Sequence, residues 1–328
     1  MRILVTGGAG YIGSHTVKLL LARGHDVRVY DNLCHGHRAA VPADRLIVAD
    51  LADAAALDQA FVMHRIEAVI HFAAFAYVGE SVTQPARYYK NNLVNALALL
   101  DAVRRHNVGR FVFSSTCATY GVPAKVPITE DTPQRPINPY GHTKLAVERA
   151  LADYAKAYSF GYAALRYFNA AGAAADGSIG EDHHPETHLI PLVLQTALGQ
   201  RPYIEVFGTD YPTPDGTCVR DYVHVDDLAE AHMSALEKCE PGRGSCLNLG
   251  TGHGYSVREV IKTAESVTGK TIAVKESPRR QGDPPELVAA AANARDMLSW
   301  KPRFPELRPI VETAWNWHRT HPNGYGDR

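Results

Sequence analysis

The most constraining feature of this chain is its first 31 residues, in which a glycine-rich turn separates a short apolar strand from a helix. An apolar run from Met1 to Val5 leads into TGGAGYIG at 6–13, and a helical pattern and a second apolar run then end at Asp31. Three glycines keep the spacing of a dinucleotide-binding turn: Gly7, Gly10 and Gly13. Because they lack side chains, backbone N–H groups can approach a pyrophosphate at the positive end of the helix. This order of elements predicts a dinucleotide-binding unit.

Asp31 indicates which dinucleotide the turn binds. It stands at the end of the second apolar run, about 20 residues after the glycines, where a carboxylate accepts hydrogen bonds from the adenosine ribose hydroxyls. The same negative charge repels a 2′-phosphate. A glycine triplet alone also occurs in ordinary loops, but the strand, the helix and the acid together favour the binding function. We therefore predict NAD, rather than NADP, as the cofactor.

Composition limits the other partners of the chain. Its 328 residues exceed the usual size of a single core, so one large domain with a smaller one is expected. A charged share of 21% and a net charge of −1 give no indication of nucleic acid or a membrane as partner. No apolar stretch approaches the ~20 residues of a membrane span, and because the first strand follows Met1 directly, no signal peptide is expected. Five cysteines without CxxC spacing predict free thiols, no structural zinc and a cytoplasmic location.

Strands alternate with helices over the first half of the chain. This order predicts an α/β fold with a Rossmann-type doubly wound parallel sheet, whose ligands lie beyond the carboxyl ends of the strands. Apolar runs predict further strands at about 45–49, 68–72, 110–113, 162–167, 204–207 and 246–249. Helical patterns predict helices at about 54–64, 86–106, 138–159, 190–198, 227–238, 257–267 and 306–318. The sequences HFAA and SSTCATYG follow two of these strands and therefore belong at the same sheet edge as the glycine turn.

Tyr140 and Lys144 are the candidate catalytic pair. They lie four residues apart near the start of a helix, so both side chains emerge on one face. A tyrosine with a pKa near 10 acts as a base near pH 7 only if its phenolate is stabilised by about 3 pKa units, or about 4 kcal/mol. A lysine ammonium and a positive nicotinamide ring both have the right charge. An isolated YxxxK pattern is common on helix surfaces, but here the preceding strand ends in Ser114, Ser115 and Thr116, of which Thr116 is the expected direct contact.

Several motifs together resemble a known family. TGGAGYIG, Asp31, SSTCATYG and YGHTK resemble the extended short-chain dehydrogenase/reductase family. Over nearly the whole chain, DNL, VGES, LRYFNAAG, FGTDYPTPDGT, VRDYVHVDDLA, LNLGTG and PRRQGD are similar to the members that epimerise UDP-hexoses at C4. The resemblance implies that Tyr140 takes the proton of the sugar 4-hydroxyl while hydride passes to NAD. The 4-keto sugar then turns and takes the hydride back on its other face, which interconverts UDP-glucose and UDP-galactose.

The same resemblance implies which residues hold the ligands. Tyr140, Lys144 and Thr116 correspond to the catalytic residues. The expected NAD contacts are Gly7, Gly10, Tyr11, Ile12, Gly13, Asp31, Asn32, Asp50, Leu51, Phe72, Ala73, Ala74, Asn91, Ser114, Tyr140, Lys144 and Tyr167. The expected UDP-sugar contacts are Thr116, Tyr140, Asn169, His188, Leu189, Glu205, Phe207, Arg220, Arg280, Asp283 and Leu287. Arg220 and Arg280 match the family's diphosphate contacts, and Asp283 matches a ribose contact.

The resemblance also implies how the chain is divided and assembled. Composition becomes rich in Gly, Pro, His and acidic residues between 173 and 191, which indicates a domain boundary. The expected NAD-binding domain covers 1–175 with a returning segment of about 219–250, and the expected nucleotide-sugar-binding domain covers 176–218 and 251–328. In the family, the helices that correspond to 86–106 and 140–159 pair across a two-fold axis, so a homodimer is expected.

Three positions bear on ligand specificity. Ala76 stands where many members of the family have a lysine that contacts the cofactor, and His188 replaces the asparagine before the Leu189 segment that covers the uridine. Leu287 corresponds to a residue that lines the sugar pocket. Because leucine cannot hydrogen-bond an acetamide, we expect N-acetylated sugars to react poorly. Similar motifs also occur in UDP-arabinose 4-epimerases, so a UDP-xylose and UDP-arabinose pair remains an alternative to the hexoses.

Some residues of the chain also bear on functions other than epimerisation. Acidic and histidine side chains that can ligate a metal are concentrated in one segment: Glu181, Asp182, His183, His184, Glu186 and His188. They lack the HxxxH spacing of a helical site, so a substrate-covering loop without metal is expected. A dehydratase of the same fold carries an Asp-Glu pair after the active-site threonine, where this chain has Cys117 and Ala118. A non-catalytic NAD-binding redox sensor is the alternative outside enzymes, and the intact catalytic pair argues against it.

Overall fold

The computed structural model describes residues 1–280 and 282–327, and we number its elements in chain order. The strands are β1 (Arg2–Thr6), β2 (Asp26–Asp31), β3 (Leu46–Val48), β4 (Ala68–His71), β5 (Arg110–Thr116), β6 (Gly161–Tyr167), β7 (Asn169–Ala171), β8 (Ile204–Phe207), β9 (Val219–His224), β10 (Gly244–Leu249), β11 (Gly254–Ser256), β12 (Val274–Ser277) and β13 (Glu286–Leu287). The α-helices are α1 (Tyr11–Ala22), α2 (Ala54–His64), α3 (Val78–Thr83), α4 (Pro85–Tyr88), α5 (Asn95–Arg105), α6 (Pro139–Tyr158), α7 (Leu189–Ala197), α8 (Val225–Lys238), α9 (Val257–Thr268), α10 (Ala292–Leu298) and α11 (Leu307–Thr320).

Seven parallel strands form the main sheet, in the order β10-β6-β5-β4-β1-β2-β3. In β1, Ile3 and Val5 belong to one apolar cluster and Leu4 to another, because successive side chains point to opposite faces of the sheet. Both faces are therefore buried, which is why the strand sequences are apolar throughout. The predicted Rossmann-type doubly wound sheet is confirmed. The strand order reverses between β1 and β4, and folds of this kind bind ligands in the crevice at that point.

A second group of short strands lies outside the main sheet. β9 is parallel to β7 and β13 and antiparallel to β11, and β8 pairs with β12. A separate apolar cluster that includes Val193, Val260 and Ile310 packs α7, α9 and α11 together. β10 returns to the main sheet, whereas β9 does not. The expected division into two domains remains a prediction.

The helix predicted over 86–106 is interrupted. α4 ends at Tyr88, a π-helical turn follows over Tyr89–Val94, and α5 then continues to Arg105. Within this turn the side chain of Asn92 is buried. Turns of this kind often occur at functional sites, and the apolar periodicity of the sequence does not reveal them.

The 20-residue helix α6 carries the candidate catalytic pair. The Asn138 side chain accepts a hydrogen bond from the Gly141 backbone N–H, and Pro139 occupies the first turn, where its missing N–H costs least. Tyr140, Lys144 and Glu148 follow at intervals of four residues and are all buried. They therefore form one inward-facing row.

None of the helices within residues 1–280 and 282–327 combines the length and the hydropathy that a membrane span requires.

Candidate active site

The glycine turn after β1 lies directly against the loop after β4. Gly7 has a φ of +70°, and a Cβ added there would lie 2.4 Å from the Ala73 backbone nitrogen. A Cβ added to Gly13 would lie 2.3 Å from the Gly7 carbonyl oxygen. Gly10 caps α1 without a side-chain hydrogen bond, which leaves the first N–H groups of the helix for a ligand. The turn therefore has the shape of a pyrophosphate cradle that side chains would fill.

Asp31 ends β2 beside this turn. Its Oδ2 accepts a hydrogen bond from the Ala9 backbone N–H at 2.9 Å, and its Oδ1 accepts one from Leu33 at 2.8 Å. Burial raises the pKa of this carboxyl, and the two hydrogen bonds act in the opposite direction. Each oxygen retains a lone pair, so the carboxylate can also accept from two ribose hydroxyls. Next to it, Asn32 donates to the Asp50 carboxylate at 2.6 Å.

Three of the other expected cofactor residues support the walls of the crevice. The Tyr11 hydroxyl donates to the Gly172 carbonyl at 2.6 Å, which ties the start of α1 to the segment after β7. Ile12 packs against the apolar cluster on one face of the main sheet, and Leu51 is buried in the cluster on the other face. The side chains of Ile12 and Leu51 therefore contribute to packing on the two faces of the sheet.

The loop after β4 lies next to the glycine turn in space. The backbone N–H groups of Phe72 and Ala73 both donate to the Thr6 carbonyl, at 2.8 and 3.1 Å. The Phe72 ring lies 4.6 Å from the His232 ring, and Ala74 is half-buried in the same loop. These backbone contacts extend the crevice from β1 to β4.

Asn92 is a functional candidate that sequence reasoning missed. Its side chain accepts from the Phe75 N–H and donates to the Phe75 carbonyl, both at 2.9 Å, and it also lies 3.5 Å from the Thr143 hydroxyl of α6. The expected cofactor residue Asn91 donates to the Asn92 side chain at 3.0 Å. Asn92 therefore links the loop after β4 to the catalytic helix. Only the π-helical turn, which the sequence did not reveal, could have indicated this role.

The structure brings the candidate catalytic residues together at the carboxyl end of β5. The Lys144 Nζ donates to the Ser114 carbonyl at 2.7 Å and lies 5.9 Å from the centre of the Tyr140 ring. The Ser114 hydroxyl is 2.6 Å from the hydroxyl of Tyr167, which ends β6. The Thr116 hydroxyl accepts from the Ala118 N–H at 3.1 Å, and its side chain lies near enough to Tyr140 to affect the pKa of that phenol. All of the residues expected at the reacting end of the site thus share one buried corner.

Burial dominates the charge state of this pair. It raises the pKa of Tyr140, and the Thr116 side chain opposes that change only in part. Burial also lowers the pKa of Lys144 to about 7, although the nearby Glu148 carboxylate acts in the opposite direction. Desolvation disfavours the charged form of each group, so a charge on one of them is stabilised mainly by an opposite charge close by.

A buried ion pair that the sequence does not predict lies beside the inward-facing row of α6. The Arg166 guanidinium donates to both oxygens of the Glu148 carboxylate, at 2.9 and 2.7 Å, and Ser115 donates to Glu148 at 2.5 Å. The side chains of Arg166 and Glu148 are only 5% and 4% exposed. A bidentate pair of this kind fixes orientation. It therefore holds α6, and with it Lys144, in register against β5 and β6.

The expected substrate residues fall into three groups. Asn169, His188 and Leu189 line one small cavity beside β7. Glu205 accepts from the Ser277 hydroxyl at 2.8 Å, on the pair of strands β8 and β12. At the end of β8, the Arg280 guanidinium lies 3.8 Å from the centre of the Phe207 ring.

The third group lies where β9 pairs with β13. Arg220 of β9 forms a hydrogen-bonded ion pair with Asp283, and its register partner across the pair is Leu287. Leu287 packs against the apolar cluster that contains Cys117, the residue after Thr116. The paired strands therefore bring the expected diphosphate contact and the expected sugar-pocket residue close to the catalytic corner.

The segment from 181 to 188 folds into a compact cluster. Its members with metal-ligating atoms within 4.8 Å of one another are Glu181, His183, Glu186 and His188. The His183 and Tyr11 rings are nearly perpendicular, with their centroids 6.1 Å apart, so the cluster lies beside the start of α1. The expectation of a substrate-covering loop is compatible with this position, and α7 begins immediately after His188.

The chain is similar to known proteins over most or all of its length. The sequence model of the NAD-dependent epimerase/dehydratase family matches residues 3–250. The UDP-glucose 4-epimerase of Lacticaseibacillus casei is 52% identical over 330 residues, which cover 100% of both chains.

Solved structures are similarly close. The UDP-glucose 4-epimerase of Brucella ovis in complex with NAD is 50% identical, covers 96% of this chain and 97% of its own, and superimposes with a TM-score of 0.92. The enzyme of Stenotrophomonas maltophila with bound NAD and formylated UDP-arabinopyranose is 41% identical, with coverages of 98% and 99% and a TM-score of 0.94. The chain therefore belongs to the NAD-dependent epimerase/dehydratase family.

Proposed function

We propose that this chain interconverts UDP-glucose and UDP-galactose by epimerisation at C4, with NAD held tightly through each turnover. The observation that carries the proposal is the buried corner in which Tyr140, Lys144 and Thr116 meet beside the glycine turn. Relatives that are about half identical over the full length and are described as UDP-glucose 4-epimerases support it.

The residues around the turn fit NAD. The open glycine cradle suits a pyrophosphate, and the Asp31 carboxylate suits unphosphorylated ribose hydroxyls. When bound, NAD accepts a hydride from the sugar and returns it, and its oxidised ring adds a positive charge. Gly7, Gly10, Gly13 and Asp31 would hold its adenosine diphosphate half, and Lys144 and Ser114 would face its other half.

Tyr140 is the base in the proposed reaction. Its phenolate oxygen takes the proton of the sugar 4-hydroxyl as the 4-keto sugar forms, and the resulting phenol gives the proton back when the hydride returns. Thr116 orients the reacting hydroxyl of the sugar, because its side chain lies beside Tyr140 at the carboxyl end of β5. Lys144 stabilises the phenolate, since its Nζ lies 5.9 Å from the centre of the Tyr140 ring and burial keeps the interaction strong.

The substrate is held by its nucleotide rather than by its sugar. Arg220 and Arg280 supply two guanidinium groups for the diphosphate, while Asn169, Leu189 and Asp283 face the remaining nucleotide. The apolar side chain of Leu287 faces the sugar. In this arrangement the 4-keto sugar can rotate to present its other face while the nucleotide stays bound. We assign the cofactor to a domain of 1–175 with 219–250, and the nucleotide sugar to 176–218 and 251–328.

The protein is proposed to act as a homodimer in the cytoplasm. Apolar side chains on the surface of the helical region around α3, α5 and α6 support the dimer, since Val82, Tyr89, Val94 and Tyr158 are 61%, 41%, 46% and 51% exposed. Buried free thiols such as Cys117 and Cys239 suit a reducing compartment. A monomer mass by light scattering at micromolar concentration would contradict the dimer.

The test of the proposed function has two parts. Denaturing the purified protein should release NAD, and the native protein should interconvert UDP-glucose and UDP-galactose without net formation of NADH. Tyr140→Phe should lower the rate by roughly 10²–10⁴-fold, since it removes the base while preserving the ring. A protein that is isolated without NAD and consumes free NAD stoichiometrically with the sugar would refute the proposal.

Pentose substrates are a second candidate. The relative from Stenotrophomonas maltophila was solved with formylated UDP-arabinopyranose. Loss of a hydroxymethyl group costs only a modest factor in most pockets. One assay with UDP-glucose, UDP-xylose and UDP-N-acetylglucosamine side by side decides between them, and a protein inactive on all three with NAD bound would favour the redox sensor.

A further inference from the structure

The four ligand-bearing side chains of the 181–188 segment form a mixed nitrogen and oxygen site. The Nδ1 atoms of His183 and His188 lie 3.2 and 2.6 Å from the same Glu181 oxygen, Oε1. They also lie 3.7 and 3.4 Å from the Glu186 carboxylate. Two imidazoles and two carboxylates therefore converge on one small volume.

Ordinary hydrogen bonding does not account for this convergence. Glu181 has a side chain that is only 4% exposed, yet its Oε1 has no hydrogen-bond partner, and neither does the Nδ1 of His183. The close approaches of the ring nitrogens thus lack the direction of an N–H donated to an oxygen. A buried polar atom without a partner costs about 1–3 kcal/mol, so it requires an explanation such as an ion at the site.

The charges of the cluster are compatible with a divalent cation. Among the described residues, the ion-pair partners of the Glu181 and Glu186 carboxylates are His183 and His188, and no lysine or arginine takes part. With neutral imidazoles, two largely buried carboxylates would face each other uncompensated. A divalent cation neutralises both and uses the lone pairs of the two neutral rings.

The separations between the ligand atoms fit an ion with tetrahedral coordination. Bonds of about 2.0–2.2 Å from zinc to histidine nitrogen and carboxylate oxygen place neighbouring ligand atoms about 3.4 Å apart. Three of the four nitrogen–oxygen separations, at 3.2, 3.4 and 3.7 Å, lie near that value. The fourth, at 2.6 Å, has to open by under an ångström, and His188 has the freedom to do so because its side chain is 45% exposed.

We propose that Glu181, His183, Glu186 and His188 bind one divalent transition-metal ion, for which Zn²⁺ is the best match to the donor set. The helical spacing that sequence reasoning required is absent, but the fold of the segment replaces it. The ion would fasten the segment beside Tyr11 at the start of α1 and Tyr77 after β4, whose rings meet that of His183 at 6.1 and 6.2 Å. The ion would act as a structural clip at the edge of the cofactor crevice and would take no part in the hydride transfer, although His188 is also an expected UDP-sugar contact.

The experiment uses the full-length protein. It is treated with a chelator, dialysed and titrated with ZnCl₂, and bound metal is measured by mass spectrometry after gel filtration. We expect one zinc per chain and a rise in the melting temperature on loading. Binding of less than a tenth of an equivalent at excess zinc, with an unchanged melting temperature, would overturn the proposal.

Variants locate the ion. His188→Ala changes a half-exposed side chain and should fold, and it should weaken zinc binding by at least about 100-fold, the upper end of the effect of losing a supporting contact. Glu181→Gln should do the same, but if it fails to fold, His188→Ala carries the test alone. The matched control is His184→Ala, which alters an exposed histidine of the same segment outside the cluster and should bind zinc as the unmodified protein does.

Cobalt distinguishes this site from the cysteines. Co²⁺ bound by nitrogen and oxygen ligands shows visible d–d bands without a thiolate-to-metal charge-transfer band. The cobalt-loaded protein should show that spectrum, and His188→Ala should lose it. A thiolate band, or unchanged binding in folded His188→Ala, would place the ion elsewhere and refute the assignment.

Discussion

Replacing Lys144 by Met tests how the phenolate of Tyr140 is stabilised. The lysine Nζ lies 5.9 Å from the centre of the Tyr140 ring. At an effective dielectric constant of about 20, two unit charges at that distance attract each other by about 3 kcal/mol, which is about two pKa units. Although burial lowers the pKa of Lys144 to about 7, the attraction is reciprocal, so an ionised Tyr140 raises it again. The lysine therefore stays charged when the phenolate forms.

The loss of Lys144 should raise the pKa of Tyr140. Burial already raises the pKa of Tyr140. A nearby ammonium group acts in the opposite direction, because it favours the charged phenolate. Loss of that cation should move the rising limb of the pH–rate profile upward by about two units, and so reduce the rate at pH 7 by about 100-fold.

The assay is the initial rate of conversion of UDP-galactose between pH 5 and pH 10, with NAD occupancy measured in each sample. Lys156→Met is the matched control, since it removes an exposed lysine from the same helix and should leave the profile unchanged. If the profile of Lys144→Met superimposes on that of the unmodified protein at equal NAD occupancy, the electrostatic reasoning is wrong.

Three further predictions follow from other parts of the site. Gly7→Ala should abolish copurification of NAD, because its Cβ would lie 2.4 Å from a backbone nitrogen, whereas Gly24→Ala, at a similar positive φ but in open space, should retain NAD; equal occupancy in both variants would contradict the cradle. Leu287→Tyr should lower the rate with UDP-N-acetylglucosamine relative to UDP-glucose, and an unchanged ratio would remove this residue from the pocket. Glu148→Gln should lower the free energy of unfolding in urea by about 3–5 kcal/mol, because it leaves the Arg166 charge buried without its partner; a loss of less than 1 kcal/mol would refute that role.

Elements specified by local signals could be predicted closely from the sequence. The helix α2 was expected at 54–64 and lies at Ala54–His64, where the Asp53 side chain caps its first turn. The strand expected at 204–207 is β8. The glycine turn and the α6 pair likewise depend on spacing within one segment. Each of these signals acts over a few residues and is therefore visible without the fold.

Elements that depend on distant pairing could not be predicted. β7, β11 and β13 are two or three residues long and exist because each lies against β9. So few residues carry no periodicity of their own. The buried pair of Glu148 and Arg166 was missed for the same reason, since 18 positions separate residues that look like an ordinary surface acid and a strand arginine.

The helical spacing rule for metal ligands does not apply to the 181–188 segment, because this segment is a loop. On a helix, two ligands share a face only at intervals of three or four residues, and on that ground the sequence disfavoured a metal. Here Glu181 and His183 precede Pro185, and Glu186 and His188 follow it, so the ligands come in two alternating pairs on either side of a proline. Alternation places both members of a pair on one side of an extended chain, and a fold at the proline then brings the two pairs together. Four ligand atoms within 4.8 Å thus result from a short loop whose two arms each have a period of two residues.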